Sequence, residues 1–184
     1  MEQSLKRIVV LYGTKYGSTK RYAQWIAEEV GADIFEISAF DPPFLKHYST
    51  VLFGSPVYMG RIKHISFVKR NWKILCEKKL AIFAVTGVPS NDPRQDKVFR
   101  ASLPVDIRKK VTYYPLRGAF NYGKLSYIDK ILMSGPRIRL QIDWWLKKDE
   151  KAREMLARFF SPLDWTDWIA IQPVVSFARQ LVQD

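Results

Sequence analysis

The chemistry of this chain is concentrated in one short segment, Gly13-Thr14-Lys15-Tyr16-Gly17-Ser18-Thr19. It lies between a continuous apolar run, Ile8-Val9-Val10-Leu11-Tyr12, and a stretch with helical periodicity. A helix start at that place presents backbone N–H groups and the positive end of the helix dipole. Thr14, Ser18 and Thr19 add hydroxyl donors, and Gly13 and Gly17 let the backbone approach a ligand closely. The combination predicts a cradle for a phosphate monoester; the alternative is a capped strand-to-helix turn that holds nothing. Two better-known phosphate loops are excluded. The chain has no Gly-Lys followed by Ser or Thr, as Walker A needs, and no G-x-G-x-x-G dinucleotide fingerprint.

Two further loops follow apolar runs that should lie beside the first. They are Gly54-Ser55-Pro56-Val57-Tyr58-Met59-Gly60 and Thr86-Gly87-Val88-Pro89. In open α/β sheets ligands bind beyond the carboxyl ends of the strands, at the switch in strand order. One loop would hold phosphate and the other two a flat ring. Tyr58 would stack on that ring or pack as a loop-tip aromatic. The backbone of Ser55, Pro56, Val57, Tyr58, Met59 and Gly60, with that of Thr86, Gly87 and Val88, would hydrogen-bond the ring edge. Arg61 and Lys63 would stabilise an anion or stand solvated. His64 would assist proton transfer or begin a surface helix. No catalytic triad can be assembled from the single cysteine, Cys76, and the two histidines, His47 and His64. With one cysteine, intrachain disulfides, CxxC pairs and cysteine-based zinc sites are excluded, and no metal site is expected. Cys76 reads as a small hydrophobe at a helix end.

The elements that must position these loops alternate along the chain. Ile8–Tyr12 reads as a strand buried on both faces. Ala23, Ile26, Ala27 and Val30 recur at helical spacing before Gly31 ends the helix. Asp33–Ile37, Thr50–Phe53, Leu80–Val85 and Val111–Leu116 read as further strands, and Ile65–Leu75 as a helix. Strands alternating with helices imply a doubly wound, five-stranded parallel sheet in a single domain. Residues 121–160 depart from the pattern. This basic, aromatic insert reads as two helical pieces interrupted by Ser134-Gly135-Pro136. Asp164 to Val182 should be the last helix, capped by Asp164 or Thr166, with a break or late start near Pro173.

Composition narrows the partners. The 184 residues are 47% hydrophobic and 14% aromatic, with six Trp and a net charge of +12. That charge attracts anionic lipids, nucleic acid and acidic small molecules. The chain carries no nucleic-acid-binding motif, so nucleic acid is not an expected partner. Trp144, Trp145 and Leu146 beside Lys147 and Lys148 have the make-up of an interfacial segment. Each Lys near an anionic leaflet adds roughly 1 kcal/mol. The same rings would otherwise cover the sheet edge or join a second copy of the chain. The polar start, Met1 to Arg7, lacks a secretory apolar core, and no apolar run is long enough to span a bilayer. A cytoplasmic protein is expected, with peripheral contact at the inner face of the cell membrane.

At Thr14-Lys15-Tyr16-Gly17-Ser18-Thr19 the chain resembles the flavodoxin family, whose phosphate loop reads T-x-T-G-x-T; here Tyr16 replaces the middle Thr. The resemblance implies an α/β flavodoxin-like fold and flavin mononucleotide (FMN) bound by residues 14–19. A narrower resemblance covers nearly the whole chain. Gly118-Ala119-Phe120-Asn121-Tyr122, Tyr127–Met133, Thr166-Asp167-Trp168 and Phe177-Ala178-Arg179 are similar to the menaquinone-dependent protoporphyrinogen oxidase family. That likeness implies an FMN-dependent oxidoreductase of heme biosynthesis that passes reducing equivalents from a porphyrinogen to a quinone. The competing expectations are a flavodoxin-type electron carrier and an FMN-dependent NAD(P)H or quinone reductase.

Overall fold

The computed structural model describes residues 7–159 and 161–180. The polar lead-in at residues 1–6, the insert's end at Phe160 and the expected helix end at Val182 lie outside the described residues. The chain forms two compact units, one of residues 1–118 and 166–184 and one spanning Ala119–Trp165.

In chain order the first unit begins with β1 (Ile8–Tyr12), α1 (Ser18–Val30), β2 (Asp33–Glu36), β3 (Thr50–Tyr58) and β4 (Arg61–Ile62). There follow α2 (Ser66–Arg70), α3 (Trp72–Leu75), β5 (Lys79–Thr86), α4 (Arg94–Ser102), α5 (Val105–Arg108) and β6 (Val111–Arg117). The strands pair in the order β2-β1-β3-β5-β6, all parallel. This is the doubly wound five-stranded parallel sheet that the alternation of runs predicts.

The period-two geometry of a strand explains why β1 is apolar throughout. Val9 and Leu11 enter a core with Phe53, Ile82, Phe67 and Leu75. Val10 and Tyr12 enter a second core with Phe83, Val85, Tyr22 and Ile26. Each core lies between the sheet and its own set of helices, so no strand face in the middle of the sheet can be polar.

Several elements of the first unit differ from the sequence reading. β3 runs on to Tyr58 and folds back as a hairpin with β4, pairing Val57 with Ile62 and Tyr58 with Arg61. Met59 and Gly60, at φ 50° and 73°, make its two-residue turn, as hairpin twist requires. The helix expected over Ile65–Leu75 is broken at Asn71, whose side-chain amide donates to the Phe67 carbonyl at 2.9 Å. Such a side chain competes with the helical ladder. α4 and α5 occupy a region to which the sequence reading gave no element. α4 fully buries the polar Gln95 and Ser102 and packs only Val98 and Phe99 on the core, so its apolar stripe is short.

The second unit holds β7 (Ala119–Phe120), α6 (Tyr127–Lys147), α7 (Glu150–Phe159) and β8 (Leu163–Asp164), with β7 and β8 antiparallel. Ser126 caps α6 by accepting from the Asp129 N–H. The expected interruption at Ser134-Gly135-Pro136 does not occur: α6 runs through it and ends at Lys148, which adopts φ 53°. A proline forfeits one ladder bond, and the two five-residue-plus flanks carry the helix past it. In the first unit, the last helix α8 spans Gln172–Gln180. It starts late because Pro173 suits a first turn. Asp164 belongs to β8 instead of capping it, and Asp167 accepts from the Ile169 N–H at 2.9 Å.

Gly54 lies opposite Phe83 in the β3–β5 register, and a Cβ there would stand 2.2 Å from the Phe83 ring. Gly54→Ala should cost about 1–3 kcal/mol of stability, read by urea denaturation. Combined with Phe83→Leu its cost should shrink, and purely additive effects in the double-mutant cycle would contradict this contact.

Candidate functional site

Three loops leave the carboxyl ends of β1, β3 and β5, the middle strands of the sheet. Gly13 continues the β1–β3 pairing by donating its N–H to the Gly54 carbonyl at 2.9 Å. On the other side, the Gly118 N–H donates to the Thr86 carbonyl at 2.8 Å. The loop bases are therefore tied into the sheet.

Within the first loop the Gly17 N–H donates to Thr14 Oγ1 at 3.1 Å. That bond closes the turn and leaves the Thr14 hydroxyl proton to donate elsewhere. Gly17 sits at φ 95°, a left-handed conformation natural to glycine, and a Cβ there would meet nothing within 4 Å. α1 then begins at Ser18 with no side-chain cap and no acidic residue in its first turn. Thr19 is buried at the helix start. Uncapped first-turn amides, clustered hydroxyls and the absence of acids make a donor set that fits a phosphate dianion. Tyr16 puts a phenol ring at the middle of the loop and is half exposed.

Lys15 links this loop to the second one. Its ammonium lies 4.6 Å from the Tyr58 ring centroid and 5.5 Å from that of Tyr16, within cation–π range. Tyr58 thus faces the phosphate loop from its hairpin, with exposed Arg61 as its cross-strand neighbour. Ser55 is buried and its hydroxyl donates to the Lys63 carbonyl. The Lys63 N–H donates to the Pro56 carbonyl at 2.9 Å. These two bonds tie Ser55 and Pro56 to Lys63 across the base of the hairpin, and Val57 to Gly60 make its outer end. In the third loop the Val88 N–H donates to Thr86 Oγ1 at 3.3 Å, making a compact turn around Gly87.

His64 lies just ahead of α2, its carbonyl accepting from the Phe67 N–H at 2.9 Å, with its ring partly buried. It adopts φ 57°, unusual for a residue with a side chain, and its ring covers Gly13. A Cβ on Gly13 would come within 2.5 Å of that ring. Nε2 is buried without a hydrogen-bond partner. Burial, with Lys63 second, pushes the imidazole pKa down, and Glu36 opposes them weakly. The ring borders a cavity of about 300 Å³ with Gly13, Glu36 and Arg70.

Several supports escaped the sequence reading. The Tyr22 hydroxyl donates to the Arg117 carbonyl at 2.7 Å and accepts from the Asp167 N–H at 3.0 Å. Gly118 packs against Ser18: a Cβ there would stand 3.3 Å from Ser18 Cβ. Ser102 accepts from the Ile62 N–H at 2.9 Å, anchoring the Tyr58 hairpin to α4. Only Tyr22 left a signal, a phenol on the apolar face of a helix that needs a polar partner.

The flavodoxin domain family matches residues 9–137, and this chain belongs to that family. An uncharacterized protein of Methanocaldococcus jannaschii is 33% identical over 120 residues, 65% of this chain and 79% of that protein. Flavodoxin FldP of Pseudomonas aeruginosa is 35% identical over 81 residues, 37% of this chain and 43% of that protein. Among solved structures, the Trp repressor binding protein from Bacillus subtilis aligns at TM-score 0.47 and 14% identity, covering 61% of this chain and 85% of that one. The chain is a flavodoxin-like flavoprotein, and FMN is its cofactor. Thr14, Ser18, Thr19 and the first amides of α1 are the groups that fit its phosphate.

Thr14→Ala should weaken FMN binding about 10- to 100-fold, because a hydrogen bond to a charged group contributes about 1.5–3 kcal/mol. Quenching of flavin fluorescence on titration gives the Kd. A second expectation concerns pH. The folded pKa of His64 lies below its ordinary 6.5, so on acidification the unfolded chain takes up the proton first. Stability should therefore fall as pH drops through 6.5. His64→Asn tolerates the positive φ and removes the titration. Urea midpoints at pH 8 and about pH 5.5 should differ less in this variant than in the wild type.

Proposed function

We propose that this chain is an FMN-dependent electron-transfer protein of flavodoxin type that exchanges reducing equivalents with an anionic partner. The observation that carries the reading is the start of α1. It is uncapped and free of acids, with Thr14, Ser18 and Thr19 at hand and Tyr58 facing it across Lys15.

FMN, when bound, supplies reversible redox chemistry; the protein supplies its orientation and electrostatics. Thr14, Ser18, Thr19 and the amides at the helix start would hold the phosphate. Tyr58 and the Thr86–Val88 turn would take the ring side. No nucleophile is required, in keeping with a half-buried Cys76 whose thiol donates to the Lys73 carbonyl. The net charge of +12 sets the partner's sign, because electrostatic steering favours an acidic protein or an anionic small molecule.

A second reading is quinone-dependent dehydrogenation of a porphyrinogen. It is supported by the resemblance in Gly118–Tyr122, Tyr127–Met133, Thr166–Trp168 and Phe177–Arg179. A porphyrinogen bears carboxylates, which the basic surface also favours.

The test is the visible spectrum of the purified protein, then anaerobic turnover with three donor and acceptor pairs. Flavin absorption with rapid oxidation by an acidic redox protein, slowed by salt, is the expected result. Salt-insensitive NADPH oxidation would replace it with a reductase. Porphyrin fluorescence that appears only with a menaquinone analogue would establish the second reading. Absence of flavin after incubation with FMN would overturn both.

A further inference from the structure

α6 exposes a row of large apolar side chains that nothing in the second unit covers. Ile128, Ile131, Ile138, Ile142 and Trp145 recur three, four or seven residues apart, which places them on one stripe of the helix. All are exposed, from 48% at Ile142 to 73% at Ile128. The stripe is about 26 Å long at 1.5 Å per residue. Soluble surfaces rarely carry so long a row of Ile and Trp without a partner to cover it.

Three observations identify what covers it. The first is charge. α6 has two acids, Asp129 and Asp143. Asp129 is 3% exposed, and Asp143 is bound to Lys147 at 2.7 Å with Arg139 at 4.0 Å. Neither offers a bare carboxylate beside the stripe, and Lys130, Arg137, Arg139 and Lys147 outnumber the two acids, so the helix keeps a net positive charge. The second is the placing of aromatic rings. Tyr127 stands exposed at one end of the helix and Trp144 and Trp145 at the other, and such amphipathic rings favour the headgroup zone. The third is helix length against hydropathy. α6 is 21 residues long, yet among the described residues no helix is long and apolar enough to cross a membrane. A helix with one apolar stripe bordered by cations lies in an interface instead of spanning it. A second copy of the chain is the poorer occupant, because pairing two such stripes would bring like cations together on chains of net charge +12.

We infer that the exposed stripe of α6 docks on an anionic lipid surface, with Ile128, Ile131, Ile138, Ile142 and Trp145 entering the headgroup–acyl boundary and the flanking Lys and Arg meeting lipid phosphates. This surface lies outside the flavin loops, so the inference stands apart from the electron-transfer reading. It gives the chain access to partners that reside in or on a membrane.

The experiment is vesicle flotation of the full chain, scored by protein in the lipid layer. Vesicles of phosphatidylcholine alone are compared with vesicles containing about one-third phosphatidylglycerol. The wild type should float with the anionic vesicles and not with neutral ones. Ile138→Glu with Ile142→Glu should lower partitioning at least about tenfold, since it places charge in the apolar boundary. Lys147→Glu with Lys148→Glu should lower it by a similar factor through the electrostatic contribution. Both pairs are exposed, and unchanged circular dichroism and flavin absorption would show that the fold and the flavin loops persist. Three outcomes overturn the proposal. One is no flotation of the wild type. Another is flotation that both variants retain, which assigns binding to the general basic surface. The third is a wild-type dimer in sedimentation that Ile138→Glu with Ile142→Glu dissociates, which assigns the stripe to a second copy.

Discussion

The pairing of β1 with β3 is the constraint from which the rest of the first unit follows. Strand order reverses there, because β2 lies outside β1 and β5 outside β3. The two connections leave on opposite faces, and a crevice must open between them. The bond from Gly13 to Gly54 extends the pairing one residue past β1, so the phosphate loop and the Tyr58 hairpin depart from a shared base. Burial on both faces prevents slippage. A one-residue shift would exchange Val9 and Leu11 with Val10, moving each into the wrong core. Position at the site is thus inherited from packing in the sheet.

What could be read from the residues depended on how much of the signal was local. β1 and α1 were legible because apolar runs, helical spacing and Gly31 all act within one element. The turn from Gly13 to Thr19 was legible for the same reason, since the glycines and hydroxyl residues that shape it lie within seven residues. The hairpin of β3 and β4 was not. Its turn uses Met59 at positive φ, and a residue with a side chain gives no such warning in a sequence. α4 escaped because only Val98 and Phe99 are apolar on the face it packs, with the polar Gln95 and Ser102 buried beside them. α6 was read as two pieces because Gly135 and Pro136 are the usual marks of a break. There the cost of one lost bond is small beside the helical segments on either side.

The supports of the site were the least legible part, since each joins residues far apart in the chain. Ser102 and Ile62 are 40 residues apart, and Tyr22 and Arg117 are 95 apart. His64 shows the same limit from another side. Its type suggests proton chemistry, whereas its ring fills the space that Gly13 leaves empty. The glycine and the histidine form one steric unit split between two loops, and neither residue alone reports it.

The Tyr22 hydroxyl has a consequence for the architecture as a whole. One oxygen bonds both to Arg117, two residues before the second unit begins, and to Asp167, two residues after it ends. On the same helix, Arg21 donates to Thr166 at 2.7 Å. The end of β6 and the returning segment at Thr166–Asp167 are thereby both bonded to a single turn of α1. Where entry and exit lie so close, the length of chain between them places little strain on the sheet. The clasp holds the chain on either side of the second unit to α1, so the register of the sheet is set without reference to the length of that segment.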